Sequence, residues 1–494
     1  MIYFAIMRFV PTRIKNGLAV GLSLLFSAVL LGIVWNQMGW AAGGMDSWNH
    51  YLFARWAPTH PELVWDQWGK TLFTIPTIPF AKFGMNGMYV FNVLCCLIGA
   101  YFSYKTARKL AFLYPWMVVL FYVFQPVVFG NTISALSEPL NAMVLAIILY
   151  LLSDNRFTWA AVLTSFLPFF RTEGWVLLLS ILIYFIACRQ WYKILFFALG
   201  SVVFAFIGKI FLGDFKYFIS SNPYFKEQLS GRDWGHGGWL YYLDAQKSIW
   251  GIVIISLLFI SLILLALYMG RMIRKKTPEF RSVYSFWLLA PVLLGFFMAH
   301  TIIWVFGMFG SNGLTRVFYV VAPSSALLAS YGLHKLCFID IKRYRQGIVI
   351  LIAAASVYAG YKGSGIPFPW KNEVSIPANR IDPQLDKAVD FINNSEYKNY
   401  HQAHQLPVVH ARFDTDPWAA FEKSKATYLW SVDTLAAKDY TPEKTIIIWD
   451  GVHAAREGAK PKDVMFRMKH YRKIKEFKSD IDSIHDVILF KKTK

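Results

Sequence analysis

The chain has 494 residues, of which 56% are hydrophobic and 18% aromatic, and its mean hydropathy is +0.39. This composition excludes an ordinary soluble protein, because too few polar residues remain to cover a water-facing surface. The formal charge of +20 does not indicate a nucleic-acid partner. Most Lys and Arg residues lie between hydrophobic segments, where positive charge orients membrane spans and attracts anionic lipid headgroups.

Apolar runs long enough to cross a bilayer fill the first three quarters of the chain. They predict a polytopic α-helical membrane protein with about eleven transmembrane helices. The predicted spans are 17–35, 86–104, 111–130, 139–153, 157–170, 174–188, 194–213, 249–270, 282–306, 314–334 and 346–361.

The composition changes after residue 365, where charged and polar residues mix with short apolar runs. We therefore predict two domains, a membrane domain over 1–365 and a soluble domain over 371–494. Short β-rich runs at 407–410, 427–432, 444–449 and 486–490, with helical patterns at 383–394 and 459–473, predict a small α/β fold for the second domain.

Basic residues fall on alternate connections between the predicted spans, which are then cytoplasmic by the positive-inside rule. With an odd number of spans, the N-terminus is expected in the cytoplasm and the C-terminal domain on the outer side. We expect an integral protein of a bacterial inner membrane, with that domain in the periplasm; in a eukaryote it would face the lumen of the endoplasmic reticulum.

The first outer connection carries the acids Asp46 and Asp66. A carboxylate held at a membrane surface is suited to accept a proton from an attacking hydroxyl. Asp46 has a simpler interpretation as the cap of a helix that begins at Ser47. Asp46 and His50 are four residues apart and would share a helix face, but two ligands do not make a metal site. No cofactor is expected; a divalent metal is the less favoured alternative, with His60 or His236 as a third ligand.

Three more outer connections carry charges at the membrane boundary. Glu138 lies at a predicted helix start, and Arg171 and Glu173 lie in a tight turn between two apolar runs. Such charges either serve function or pair with each other to close the turn. Arg316 follows a Gly-rich segment. Its guanidinium either binds a phosphate or reaches the membrane–water interface at the end of its long side chain.

Taken together, this order of motifs resembles the GT-C glycosyltransferases, and most closely their mannosyltransferase-type branch. The likeness covers roughly residues 17–335 and rests on the acid of Met45-Asp46-Ser47-Trp48, on Ser137-Glu138-Pro139, on Arg171-Thr172-Glu173-Gly174 and on Arg316-Val317-Phe318-Tyr319. It departs from the commonest pattern in one respect, because Asp46 is followed by Ser47 instead of a second acid.

The resemblance implies an inverting hexosyltransferase that moves a mannose-like sugar from a polyprenyl-phosphate donor to a lipid, glycan or protein acceptor. It implies that Asp46 is the general base, with Asp66 as the alternative, and that Arg316 and Arg171 stabilise the phosphate. Glu138, Glu173 and Asp66 would bind sugar hydroxyls or hold the arginines. His50 and Tyr319 complete the predicted substrate-binding set.

Two other functions remain open from the sequence. A transporter or flippase of lipid-linked sugar would use the same membrane body, although such proteins usually show internal repeats and polar residues at the bilayer midplane. A membrane-anchored scaffold would explain the C-terminal domain, but it would not explain the charges at the membrane boundary.

Overall fold

The structure, a computed structural model, divides into two compact units. The first comprises Met1–Ala42 and Val64–Trp370, and the second comprises Gly43–Leu63 and Lys371–Lys494. It describes residues 12–37, 42–224, 228, 235–272, 280–337, 345–366, 382–404, 407–418, 426–428, 444–450, 471–480 and 486–493.

The first unit is built from helices. Its α-helices are α1 (Thr12–Gln37), α3 (Thr71–Ala81), α4 (Gly84–Lys109), α5 (Met117–Val123), α6 (Pro126–Asn131), α7 (Glu138–Ser153), α8 (Phe157–Phe170), α9 (Gly174–Ala187), α10 (Leu199–Leu212), α11 (Tyr217–Ser220), α12 (Tyr241–Asp244), α13 (Gln246–Ile249), α14 (Ile252–Met272), α15 (Phe280–Tyr284), α16 (Ala290–Val305), α17 (Ala322–Leu336) and α18 (Arg345–Gly363). Short 3₁₀ segments at Trp191–Ala198 and Thr315–Val321 precede α10 and α17, and a π-helical turn at Ser285–Leu289 precedes α16.

Each of the eleven predicted spans coincides with helix in the structure. Five helical segments among the described residues are long and apolar enough to cross a membrane, and five shorter apolar helices accompany them. The predicted span over 111–130 is broken into α5 and α6, because Pro126 starts a new helix after the extended residue Gln125. The expectation of a polytopic helical membrane protein is confirmed.

The segment Thr315–Leu336 forms the centre of the first unit. Its apolar window is 100% buried inside the protein, whereas that of Trp191–Leu212 is only 22% buried. Buried polar groups fix the central helix in place: the Gln125 amide donates to the carbonyl of Ala322 at 3.1 Å, and the Ser325 hydroxyl donates to Gln125 Oε1 at 2.9 Å. The residues that begin this segment therefore have well-defined positions.

The second unit combines α2 (Met45–Trp56), α19 (Asp382–Asn393) and α20 (Pro407–Phe413) with a five-stranded sheet. The strands are β1 (His401–His404), β2 (Ala426–Tyr428), β3 (Thr445–Asp450), β4 (Tyr471–Phe477) and β5 (Val487–Lys492), in the spatial order β2-β1-β3-β5-β4. β1 pairs in parallel with β2 and β3, whereas β5 is antiparallel to β3 and β4. β3 is buried along its whole length.

Three features of the second unit differ from the sequence-based expectation. The predicted helix over 459–473 reaches into strand β4, which begins at Tyr471, and the rest of that prediction lies outside the described residues. The run 407–410, predicted as a strand, is the start of helix α20, which is consistent with the preference of proline for the first helical turn. Residues Gly43–Leu63, which we had assigned to the membrane domain, group with the C-terminal residues. The reason is that α2 packs along α20 and the residues that follow it.

We predict that Gly174→Ala destabilises the first unit. A Cβ atom at Gly174 would lie 2.2 Å from the backbone carbon and oxygen of Leu167, so α8 and α9 would have to separate. Overpacking of this kind typically costs about 1–3 kcal/mol. The measurement is the thermal midpoint of the purified protein in detergent. Gly21→Ala is the matched control, because nothing lies within 4 Å of its Cβ position; equal midpoints for the two variants would contradict the packing argument.

Candidate functional site

The connection before α7 is held rigidly by buried hydrogen bonds. The Asn92 side-chain amide on α4 donates to the carbonyls of Ser134 and Leu136, at 2.7 Å and 3.0 Å. The backbone N–H of Ala42 donates to the carbonyl of Ile133 at 3.0 Å. These bonds fix the position of the first residue of α7, which is Glu138.

Glu138 lies between two arginines that come from distant parts of the sequence. Its side chain is only 1% exposed, and its Oε2 lies 2.7 Å from Nη1 of Arg171. Its Oε1 lies 3.5 Å from Nε of Arg316. Neither carboxylate oxygen accepts a well-directed hydrogen bond within the described residues. Glu138 therefore acts on both guanidinium groups chiefly through its charge.

The α8–α9 turn adds a second carboxylate to the same cluster. Arg171 donates through Nη2 to Glu173 Oε1 at 2.6 Å and through Nε to Oε2 at 3.2 Å, a bidentate pair. Burial by itself would raise the pKa of Glu173, but the adjacent Arg171 outweighs it and lowers the pKa to about 2. Glu173 is thus ionised throughout the physiological range, and the predicted ion pair across this turn is present.

Arg171 also contacts the residue that precedes Glu138. Ser137 is the N-cap residue of α7, but its hydroxyl makes no capping bond. It accepts a hydrogen bond from Arg171 Nη1 at 2.9 Å instead. The guanidinium thus bridges both elements, and Arg171 cannot shift without disturbing the start of α7.

Arg316 and Tyr319 lie one turn apart on the 3₁₀ segment but have different surroundings. Arg316 is 16% exposed and contacts Glu138. Tyr319 is fully buried, and its hydroxyl lies 3.0 Å from the Thr132 hydroxyl. The structure therefore brings Glu138, Arg171, Glu173 and Arg316 into one cluster, whereas Tyr319 supports the connection that carries Glu138.

Lys70, at the start of α3, is an electrostatic neighbour of this cluster. Burial lowers its pKa to about 8, the nearby Glu173 opposing this effect and Arg171 adding to it. Its ammonium donates to the Gln67 carbonyl at 2.9 Å and lies 4.8 Å from the ring centre of Tyr224. Lys70 has a φ of 62°, a left-handed conformation that is costly for a side-chain-bearing residue and is found preferentially at functional sites.

Asp66 shapes the turn that leads to Lys70. Its Oδ1 accepts hydrogen bonds from the backbone N–H groups of Trp68 and Gly69, at 2.6 Å and 3.1 Å. This is a turn-forming contact, and it occupies one of the two oxygens of the alternative predicted base. Asp66 also attracts Lys70 electrostatically.

His300 on α16 lies within electrostatic range of Glu173. Its side chain is buried against Phe296, with ring centres 4.4 Å apart. Its Nε2 has no hydrogen-bond partner within the described residues. His300 therefore adds a further polar atom at the border of the cluster.

The cluster consists of Lys70, Glu138, Arg171, Glu173 and Arg316. It contains three cations and two carboxylates. When all five groups are charged, one positive charge remains within the cluster, and Asp66 next to Lys70 offsets it. Two planar guanidinium groups and an ammonium in a buried setting are well suited to bind a phosphate, since charge-assisted hydrogen bonds gain strength where water is excluded. The two carboxylates hold the arginines in place.

The predicted base lies in the second unit. Asp46 is in the first turn of α2, half-buried, and the N-cap position belongs to Gly44, so Asp46 does not cap this helix. A carboxylate in a first turn is favoured by the helix dipole. His50 follows one turn later and is 6% exposed. Within the described residues, no three His, Cys, Asp or Glu side chains form a group that could hold a metal ion.

The fold of the whole chain is similar to that of a protein of known structure. ArnT from Cupriavidus metallidurans in the apo state matches 96% of this chain and 98% of its own, with a TM-score of 0.59 and 13% sequence identity. The same protein bound to undecaprenyl phosphate matches 95% of this chain and 97% of its own, with a TM-score of 0.57 and 10% identity. The chain has the fold of ArnT. No family model and no curated protein match its sequence.

Two residues of the candidate site, Lys70 and His300, are not predicted from the sequence. Lys70 lies in a long connection among other polar residues, and the only available signal was that it immediately precedes an apolar helix. His300 lies inside an apolar run, where a lone histidine is more often a core residue. Neither residue type nor spacing distinguished them, because their role follows from contacts made in the fold.

We predict that Glu138→Gln destabilises the protein by about 3–5 kcal/mol, because breaking a buried ion pair leaves uncompensated charge. The variant keeps the side-chain volume but removes the negative charge that lies between the guanidinium groups of Arg171 and Arg316. The thermal midpoint in detergent measures the effect. Asp244→Asn, an exposed acid of the same unit, is the control and is expected to stay within experimental error. A midpoint for Glu138→Gln equal to that of the control would show that the arginines do not depend on this carboxylate.

Proposed function

We propose that the protein is an integral membrane glycosyltransferase that moves a hexose from a polyprenyl phosphate to a lipid, glycan or protein acceptor on the outer face of the membrane. The observation that carries the proposal is the buried cluster, in which Arg171 and Arg316 converge on Glu138 and Lys70 lies nearby. It offers two guanidinium groups and an ammonium to a phosphate. The mannose-like identity of the sugar remains the inference from the sequence resemblance.

The similarity of fold supports the same class of donor. One of the matching structures is of ArnT bound to undecaprenyl phosphate, a polyprenyl phosphate. The cation cluster in this chain provides the chemistry that such a headgroup requires, independently of that likeness. The fold and the charges therefore support one donor class, a lipid with a phosphate head.

In the proposed reaction, the acceptor hydroxyl oxygen attacks the anomeric carbon as the bond from that carbon to the phosphate oxygen breaks. The bonding electrons leave with the phosphate, and the base takes the hydroxyl proton. One in-line displacement inverts the anomeric configuration. Lys70, Arg171 and Arg316 would stabilise the negative charge that grows on the leaving phosphate, which is where preorganised cations lower a barrier most.

Asp46 remains the proposed base. It stands in the first turn of its own helix, and like Asp66 it is half-buried. Asp66 has one oxygen committed to a turn. The order of the two acids, with Asp46 as the base and Asp66 as the alternative, comes from the sequence resemblance. Glu138 and Glu173 contact the arginines, so of their two implied roles we assign them that of holding the phosphate-binding groups.

The pH dependence of donor binding tests the role of Lys70. Because its pKa is lowered to about 8, Lys70 is charged below that pH and loses its proton above it. Affinity for a short-chain polyprenyl phosphate should therefore weaken by roughly tenfold between pH about 7 and pH about 10. Titration calorimetry in detergent measures the dissociation constant at each pH.

Lys70→Arg is the matched variant for this titration, since a guanidinium keeps its charge over the whole range. We expect its affinity to stay nearly constant up to pH about 10. A wild-type affinity that is equally constant would show that Lys70 does not bind the phosphate.

Turnover of the Asp46→Asn variant tests the proposed base. The amide keeps the size and the shape of the side chain but cannot take up the proton. We expect a loss of about 10²–10⁴-fold in turnover, with the affinity for polyprenyl phosphate unchanged. Release of polyprenyl phosphate from a short-chain donor, with membrane lipid extract as the acceptor source, is the measurement; Asp66→Asn run in parallel decides between the two acids.

Reconstitution in liposomes separates the transferase from a transporter. A transferase breaks the glycosidic bond, so labelled sugar appears on an acceptor and free polyprenyl phosphate accumulates. If the protein instead moved intact labelled donor between leaflets with no bond cleavage, the proposed activity would be wrong.

A further inference from the structure

One segment of the C-terminal domain holds the helix that carries Asp46. The segment consists of residues 412–418, which begin near the end of α20 and continue into the following turn. It contacts α2 and its extension at several points, although more than 350 residues separate the partners in sequence (359 for the pair Arg55 and Asp414). The contacts all lie within the second unit.

The best-defined of these contacts is between Arg55 and Asp414. Arg55 Nε donates to Oδ1 at 3.0 Å and Nη2 donates to Oδ2 at 2.8 Å, which is a bidentate pair. The two planar groups meet edge to edge, so the pair fixes direction as well as distance. Asp414 has a φ of 47°, a conformation that aspartate tolerates better than most residues, and this places its carboxylate at the end of α20.

Further contacts flank this pair along the helix. The Arg412 guanidinium lies 5.5 Å from the ring centre of Trp48, and the rings of Phe53 and Trp418 are 5.2 Å apart. Residues seven apart in an α-helix lie on the same face, so Trp48 and Arg55 share one face of α2. Phe53 lies seven residues after Asp46, and these two share the opposite face.

Past the end of α2, a histidine makes the last contact. His60 Nε2 lies 2.7 Å from Asp416 Oδ2, and its Nδ1 lies 3.3 Å from Glu62 Oε1. The segment 412–418 therefore meets α2 on two faces and beyond its C-terminal end. A helix held in this way can neither rotate about its axis nor slide along it without breaking several contacts at once.

The helix depends on these contacts because it is weak by itself. It has only 12 residues and no side-chain hydrogen bond at its N-cap. Isolated helices of this length are marginal in water, so tertiary packing decides whether and where such a helix forms. The orientation of Asp46, in the first turn, is then set by what holds the rest of α2.

We propose that Arg55 is a positioning residue for Asp46, acting through its bidentate pair with Asp414, and that the C-terminal domain thereby orients the acid of the first outer connection. This inference rests on the proposed function of Asp46 as base. It assigns the C-terminal domain a part in catalysis that does not require it to touch the substrate.

The exposure of the pair makes this role separable from a role in stability. Arg55 is 30% exposed and Asp414 is 58% exposed, and ion pairs this accessible to water contribute little to folding free energy. Variants at either position should therefore remain folded. Their thermal midpoints should be close to that of the wild type.

The test measures turnover and KM for a short-chain polyprenyl-phosphate hexose, using the full-length protein in detergent with membrane lipid extract as the acceptor source. We expect Arg55→Ala and Asp414→Ala each to lower kcat by roughly tenfold, because small misplacements of reacting groups are costly, with donor KM unchanged. The double variant should lose no more kcat than either single variant.

Arg55→Lys should recover part of the loss, and it replaces Arg55→Ala if the latter does not fold. Arg472→Ala, an exposed arginine on β4, is the matched control and should keep wild-type kcat.

The deciding comparison uses the Asp46→Asn background. If Arg55 acts through Asp46, Arg55→Ala should cause no further loss of kcat there. A further loss of kcat on adding Arg55→Ala to Asp46→Asn would overturn the inference. A wild-type kcat for Arg55→Ala and Asp414→Ala as single variants would also overturn it.

Hydrogen exchange on the same variants needs no substrate. We expect the amides of Met45–Trp56 to exchange faster in Arg55→Ala and Asp414→Ala than in the wild type, with exchange in α19 unchanged. Unchanged exchange in α2 would overturn the inference whether or not the wild type transfers sugar. A wild type that transfers no sugar would instead overturn the proposed function, which keeps the two failures distinct.

Discussion

The first unit depends on one buried charge, the Glu138 carboxylate. Removing a carboxylate from water is expensive, and the cost is offset only when cations lie close to it in a fixed geometry. Arg171 and Arg316 provide those cations from two other elements, the α8–α9 turn and the 3₁₀ segment before α17. Three parts of the chain must therefore be correctly placed at once, which explains why Asn92, Thr132 and Ser137 are all committed to the same region.

The same constraint bears on function. Arg171 and Arg316 are balanced by Glu138 and Glu173, so two cations meet two carboxylates. The ammonium of Lys70 is a third cation nearby, and its lowered pKa shows that charging it in this place costs free energy. An anion beside Lys70 would lower this cost, so the same electrostatics favour the phosphate of the proposed function.

The sequence predicts two kinds of feature well, charged residues within apolar surroundings and long apolar helices. Charges such as Arg171 and Glu138 stand out in an apolar background because the membrane makes them expensive, and apolar runs of spanning length correspond to helices. The break at Pro126 and the strands β1 and β4 were not predicted. His401–His404 has no apolar alternation, and β4 is rich in Lys and Arg. The grouping of α2 with the C-terminal domain could not be predicted either, since it rests on pairs such as Arg55 and Asp414 that are remote in sequence and ordinary in type.

The distribution of candidate residues between two units has a physical logic. Cations that stabilise a leaving phosphate gain strength from burial, because water would screen them. A carboxylate that serves as a base has the opposite requirement, since full burial would penalise its charged form and close its access to the proton it must take. Lys70, Arg171 and Arg316 are buried or nearly so in the helical unit, while Asp46 is half-buried on a helix held by the C-terminal domain. Under the proposed roles, the base and the cations belong to different compact units, so the residues of each unit can set the environment that its own group requires.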